Sequence, residues 1–160
     1  MPTPKPIAPT ELVGQTINGF TIPDQYELTH GRGTGALATN MQIYLVEFSA
    51  ERTVAVMPVE GNTQPIGLLH GGAYCVLGES LGSMSAFAHA LSLGPDFYPV
   101  GIDINATHTA SATAGWVTAE CRAISLGRSI AVHEIVVSDA HDRRCSTLRI
   151  TNLIRAGQSR

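Results

Sequence analysis

Residues 71–95 read GGAYCVLGESLGSMSAFAHALSLGP. Small and apolar residues run through this stretch until Gly94-Pro95, a pair that stops a helix. The run predicts one helix from about Gly72 to Leu93, roughly 33 Å long at about 1.5 Å per residue. Gly78 and Gly82 are four apart and share a face, so they favour close packing against a sheet. Glu79, His89 and several serines interrupt the run. Burial within protein is therefore favoured over burial in lipid, and no membrane span is expected.

Strand patterns flank the helix. Gln42–Ala50 and Arg52–Val59 are rich in Ile, Val, Leu, Tyr and Phe, with Ser49-Ala50-Glu51-Arg52 as the turn between them. Glu60–Leu69 is a loop carrying Gly61, Asn62, Pro65 and Gly67. After the helix, Val100, Ile102 and Ile104 alternate, as do Val117, Ala119, Cys121 and Ala123. Ile130–Val137 and Arg143–Ile154 complete the set, joined by turns at Ser125–Arg128 and Asp139–Asp142. Such short links favour antiparallel pairing. One long apolar helix needs one large sheet to cover it, so the fold class is α+β: a curved antiparallel sheet of five or six strands around a central helix. The domain is expected over 41–156. Residues 1–40 form an N-terminal extension, disordered and polyproline-like over about the first nine, with short helices at Thr10–Phe20 and Thr34–Asn40.

Composition narrows the function. The chain has 160 residues, 44% hydrophobic and only 14% charged, with a net charge of −3. That is enough for one core, and the charged share is well below the roughly 25% usual for a globular domain, which suits a surface hidden in an oligomer. No basic stripe is present, so nucleic acid is not an expected partner. Three cysteines with no CxxC exclude a disulfide scaffold or zinc knuckle and favour a reducing, cytoplasmic compartment. Gly78-Glu79-Ser80-Leu81-Gly82 matches GxSxG, but that elbow needs a strand directly before its serine, and Ser80 lies inside the helical run. His133-Glu134 is not HExxH, and Cys75 reads as a small buried thiol.

The chemistry concentrates at the start of the helix. A helix beginning near Gly71 leaves its first amides unpaired, with the positive end of the dipole behind them. Gly71 and Gly72 let a ligand carbonyl approach, which makes an oxyanion site for acyl transfer. Gln64 and His70 lie just upstream as donors, while Glu79 and Ser83 share one helical face. A carboxylate in an apolar helix is costly to bury. Two readings of Glu79 stand side by side: a general base, or a group that caps or pairs with a neighbouring arginine.

Gln64, the HGG at 70–72, Glu79 and Ser83 resemble the hotdog-fold acyl-CoA thioesterases of the phenylacetate and arylthioesterase branch. The resemblance extends through Phe48–Gly72, Leu77–Ser83, Asn105–His108 and Leu126–Arg149, covering roughly Met41 to Ile154. It implies hydrolysis of an acyl-CoA, with an aromatic acyl group of the hydroxybenzoyl or naphthoyl type. It implies that Glu79 activates water or attacks as a nucleophile, and that the Gly71 N–H polarises the thioester carbonyl. Gln64 and His70 would hold that carbonyl, and Ser83 would orient the water. Asn105 and His108, with Gly127, Arg128 and Ser129, match segments near coenzyme A, which enters only as part of the substrate. Where that family carries a basic residue two positions after the histidine, this chain has Ala110. An acyl carrier protein substrate, a non-catalytic acyl-CoA-binding domain and a hotdog hydratase are the alternatives.

The resemblance also implies a homodimer that pairs into a tetramer. Geometry points the same way. Eight residues separate Gly71 from Glu79, about 12 Å along one helix. A base must lie within hydrogen-bond reach of its water. Two antiparallel helices from two copies can satisfy this where one helix cannot.

Overall fold

The structure is a computed structural model and describes residues 11–157. The long helix, α3 in chain order, spans Gly71–Leu93. His70 caps it: the backbone there is extended, and the ring Nδ1 accepts the Gly72 N–H at 2.8 Å. Gly94 ends it at a φ of 149°, a conformation closed to ordinary side chains, and Pro95 follows.

The sheet has six strands: β3 Tyr44–Phe48, β4 Arg52–Pro58, β5 Phe97–His108, β6 Trp116–Leu126, β7 Ile130–Ser138 and β8 Arg144–Ala156. Their spatial order is β3-β4-β6-β7-β8-β5, every pair antiparallel, so β3 and β5 are the edges. One face of this curved sheet wraps α3. Leu77 and Leu81 of the helix bury fully with Ala55, Met57, Ala119, Ile135 and Ile150 of the strands. Each large aliphatic buried this way contributes about 1.5–3 kcal/mol. Gly78 and Gly82 set how close the helix sits. A Cβ at Gly78 would stand 2.9 Å from Leu148, and one at Gly82 would overlap Ile150. The α+β class, the six strands and the helix bounds therefore agree with the sequence pattern.

The N-terminal region differs from expectation. Over Thr10–Phe20 a short helix is expected, but its first residue lies outside the described residues and the rest is a turn and a hairpin. Strands β1 Thr16–Ile17 and β2 Phe20–Thr21 pair antiparallel across Asn18-Gly19. Both turn residues have positive φ, 48° and 83°, the conformation that Asn-Gly hairpin turns adopt. This hairpin packs on the outer face of the sheet, where Ile22, Tyr44 and Val56 are buried beside Ile17, Phe20 and Trp116. Helix α1, Gln25–Leu28, was not foreseen. The side chain of Asp24 caps it by accepting the Tyr26 and Glu27 amides. Gln25 then behaves like an extra strand residue on β3: its Nε2 donates to the Leu45 carbonyl at 2.9 Å, and its Oε1 accepts the Leu45 N–H at 2.7 Å. Helix α2, Ala36–Asn40, falls within the expected Thr34–Asn40, and Ala38 anchors it in the main core. The disordered tail expected over the first nine residues lies outside the described residues. Among the described residues, no helix is long and apolar enough to cross a membrane.

Two consequences are measurable. Gly82→Ala should destabilise the fold by about 1–3 kcal/mol through overpacking against Ile150, seen as a lower midpoint in urea with an unchanged slope. His133 is fully buried on β7, with Nε2 donating to the Ala50 carbonyl at 2.9 Å. Burial holds its pKa below the ordinary histidine value, with the Ala50 hydrogen bond opposing and His89 assisting. The unfolded chain therefore binds this proton more readily. The stability is complete above about pH 6.5 and is lost as pH falls through that value towards the lower folded pKa. Urea melts between pH 7.5 and 5.5 should show this decline, and His133→Gln should flatten it.

Candidate active site

The start of α3 is built as an amide donor. With Nδ1 accepting from Gly72, the His70 ring carries its proton on Nε2, and that N–H points to no partner among the described residues. The Ala73 and Tyr74 amides return to the His70 carbonyl, while the Gly71 N–H has no partner among the described residues. Its surroundings are close: His108 Nε2 lies 3.1 Å from where a Gly71 Cβ would stand. His108 stacks on Tyr74, centroids 5.0 Å apart, and its Nδ1 meets Ser146 Oγ at 2.9 Å. Burial pushes the Tyr74 hydroxyl up to about 12, so it stays neutral. A residue expected beside coenzyme A is thus placed at the helix start. Gln64 sits in the tip of the 60–69 loop, where its Oε1 accepts the Ile66 N–H at 2.9 Å. No hydrogen bond joins it to His70 or Gly71 among the described residues.

Glu79 lies two turns along, half-buried. Ser83 Oγ donates to its Oε1 at 3.3 Å, as the i,i+4 spacing predicts. Of the two readings left open by sequence, the arginine pair is not formed: the ion pairs of the described residues join Arg52 to Glu47 and Glu120, Arg122 to Glu120, and Arg143 to Asp139. Arg52 holds the Glu120 carboxyl below its usual range, whereas no cation among the described residues sits on Glu79.

Two neighbours of Glu79 were missed. Gly101 of β5 faces it so closely that a Cβ there would overlap Oε1. Asn152 of β8, opposite Gly101 in the ladder, is fully buried. Its Oδ1 lies 3.5 Å from Ser83 Oγ, an alternative acceptor for the one hydroxyl proton, and its Nδ2 donates to the Gly82 carbonyl at 3.4 Å. The alternation of β8 could have found it, since Asn152 occupies an inward position in line with Leu148, Ile150 and Ile154. Gly101 gives no such signal.

Two open clefts run along this side of α3 and meet at Val76. One, of about 390 Å³, is lined by Met41, Asn62, Thr63, His70, Gly72 and Ala73 together with Val76. The other, of about 270 Å³, is lined by Leu37, Cys75, Val76, Glu79, Ser80 and Ile104. Cys75 is a free thiol in its wall, and Ser80 makes no triad. No cluster of His, Cys, Asp and Glu among the described residues is arranged to hold a metal.

The remaining expected residues divide between the two ends of the helix. Asn105, on β5, donates to Asp103 at 3.4 Å, on the same strand that ends in His108 beside Gly71. Gly127, Arg128 and Ser129 form the β6–β7 turn at the other end. There the Gly127 carbonyl accepts from His89 at 2.9 Å, and the Ser129 carbonyl accepts the Ile154 N–H at 2.8 Å. Arg128 is exposed and holds no ion pair among the described residues. Gly71 and His89 are eighteen residues apart, about 27 Å along the axis.

The family model described as Thioesterase superfamily matches residues 66–146, from the end of the loop through α3 to the start of β8. The chain belongs to the thioesterase superfamily. It is 42% identical over 117 residues to the proofreading thioesterase EntH of Klebsiella pneumoniae subsp. pneumoniae, covering 72% of this chain and 78% of that one. It is 36% identical over 129 residues to the 1,4-dihydroxy-2-naphthoyl-CoA hydrolase of Escherichia coli K12, covering 80% and 93%. The crystal structure of a mutant of thioesterase PA1618 from Pseudomonas aeruginosa superposes with a TM-score of 0.74 at 35% identity, covering 84% of this chain and 95% of that one. The helix wrapped by six antiparallel strands is thus a hotdog fold, and the chain is a thioester hydrolase.

The packing of Gly101 against Glu79 makes a direct prediction. In Gly101→Ala the new methyl group displaces the end of a flexible side chain rather than backbone. Melting temperature should change little; with Glu79 as the expected base, kcat for thioester hydrolysis should fall at least about tenfold, the size of effect a small misplacement of such a group produces.

Proposed function

We propose that this thioesterase releases a carboxylic acid and free coenzyme A from an aromatic acyl-CoA, at sites shared between two copies of the chain. The observation that carries this is the separation of its two chemical groups. The Gly71 amide, unpaired among the described residues, and the Glu79 carboxylate lie on one helix, about 12 Å apart, and cannot meet at one carbonyl. Two α3 helices side by side and antiparallel bring Glu79 of each beside Gly71 of the other. The edge strand β5 supports that arrangement: it is twelve residues long, and Val100 and Ile102 are 42% and 56% exposed along it. A free edge of this length invites a second β5. The same operation lets the Gly127–Ser129 turn of one copy serve the helix start of the other, ends that lie far apart within a chain. Further pairing into a tetramer fits the low charge content.

The Gly71 N–H, with the helix dipole behind it, receives the thioester carbonyl oxygen. His70 presents its Nε2–H towards the same oxygen. Glu79 takes a proton from water through the oxygen that Ser83 does not occupy, and the water attacks the carbonyl carbon. The tetrahedral oxyanion then collapses, the carbon–sulfur bond breaks, and Glu79 returns the proton to the departing thiolate. The aromatic acyl group is supported by the relative named for a naphthoyl-CoA. Arg128, exposed and without an ion-pair partner among the described residues, is the group suited to meet a phosphate. Working inside the cell follows from coenzyme A as part of the substrate.

Glu79→Gln should lower kcat by about 10²–10⁴-fold with KM little changed. Single turnover in ¹⁸O-water separates base from nucleophile, since only a nucleophilic Glu79 acquires label in the protein. Mixing Glu79→Gln chains with a Gln64/His70 double-alanine variant should restore up to about a quarter of wild-type activity, because half the dimers are mixed and each has one working site. No recovery despite proven exchange of subunits, or an active monomer, overturns the shared site. Equal turnover of acetyl-CoA and benzoyl-CoA overturns the acyl class, and a strong preference for acyl carrier protein overturns coenzyme A.

A further inference from the structure

We infer that Leu37, on α2, sets the size of the acyl group this enzyme accepts; the inference rests on the function proposed above. The carboxylate lines one of two clefts that meet at Val76, and their linings differ in degree. The cleft at the helix start, which in the proposed shared site belongs to the other copy, sets Asn62, Thr63 and His70 among Met41, Ala73 and Val76, so it can bond the two amides of a pantetheine arm. The other is walled by Leu37, Cys75, Val76 and Ile104 around Glu79 and Ser80, so an acyl group gains there by leaving water. Its volume of about 270 Å³ is slightly below the lower end, about 300 Å³, of the range that holds drug-sized ligands. A cleft of that size favours a compact acyl group over a long chain.

Five of the six walls belong to α3 or β5, and Cys75, Val76 and Ile104 among them pack against the main core. Leu37 alone comes from another element. Its neighbour Ala38 is buried in the main core, and the Ile43 N–H bonds the Ala38 carbonyl at 2.9 Å, so α2 is held in place. Yet Leu37 is 59% exposed, an apolar group projecting over an open cleft rather than packing beneath it. It is therefore the wall whose bulk changes the cleft without changing the fold.

The test compares kcat/KM for benzoyl-CoA, 2-naphthoyl-CoA and decanoyl-CoA in wild type, Leu37→Ala, Leu37→Val and Leu37→Trp, with melting temperature measured alongside. Leu37→Ala should raise the naphthoyl-to-benzoyl and decanoyl-to-benzoyl ratios by about tenfold, the scale at which apolar pockets discriminate by size. Leu37→Trp should lower both ratios, and Leu37→Val should fall between wild type and alanine. Melting temperatures should stay together. A merely structural role for Leu37 would scale all three substrates alike and leave the ratios fixed; that result overturns the inference while the hydrolase function stands. A wild-type protein that hydrolyses none of the three overturns the proposed function, and this inference with it.

Discussion

The contact of Gly78 and Gly82 with Leu148 and Ile150 is the constraint on which the rest of the molecule depends. Two missing side chains let α3 descend until its backbone meets the β8 side chains. At that depth Glu79, one residue from Gly78, comes level with Gly101, and Ser83, one residue from Gly82, comes level with Asn152. Were the helix held away by even a methyl group, the carboxylate would leave the surface of β5, and Ser83 would move away from Asn152. Close-packed interiors transmit such shifts rather than absorb them. The position of the carboxylate is thus a by-product of packing, fixed by residues that carry no chemistry.

The helix has a second consequence. Its rise per residue places an amide at its start and a carboxylate two turns later, and no rearrangement of side chains can bring them together. Chemistry that needs both must use two helices. This converts an ordinary feature of the fold, a long strand at the sheet's edge among the described residues, into a requirement of the proposed reaction, because that edge is where a second copy can add its own sheet. It also gives a reason for the division of the polar residues between opposite ends of the helix, His108 near Gly71 and Arg128 near His89.

Much of this was legible in the sequence, and the exceptions have physical causes. A helix uninterrupted to Gly94-Pro95 and strands of period two are strong local signals, and most of the elements they mark stand where the pattern puts them. Residues Thr10–Phe20 misled because a two-residue hairpin is too short to show alternation. Asn18-Gly19 was the readable sign there, since only such residues adopt two successive positive φ values cheaply. Gln25 imitates a strand through its side chain, which no backbone propensity encodes. At the site, Glu79 with Ser83 and His70 with Gly72 are separated by little more than one turn, so spacing alone brings them together. Gly101, Asn152 and Leu37 come from three other elements, and their meeting around one carboxylate depends on strand register and helix depth.

Among the described residues no cation pairs with Glu79, which separates it from the half-buried acids that brace the sheet. Glu47, Glu120 and Asp139 each hold an arginine, and Glu120 is kept ionised by it. A carboxylate so engaged gains stability but surrenders its affinity for a proton, since the guanidinium favours the charged form. Glu79 receives one hydroxyl, from Ser83, on one oxygen. That single bond orients the group without committing both oxygens. The described ion pairs all lie away from this acid, which is surrounded instead by Val76, Ile104 and Leu37. An acid held by geometry and left free of charge partners is the form in which a carboxylate can both take a proton from water and give it back.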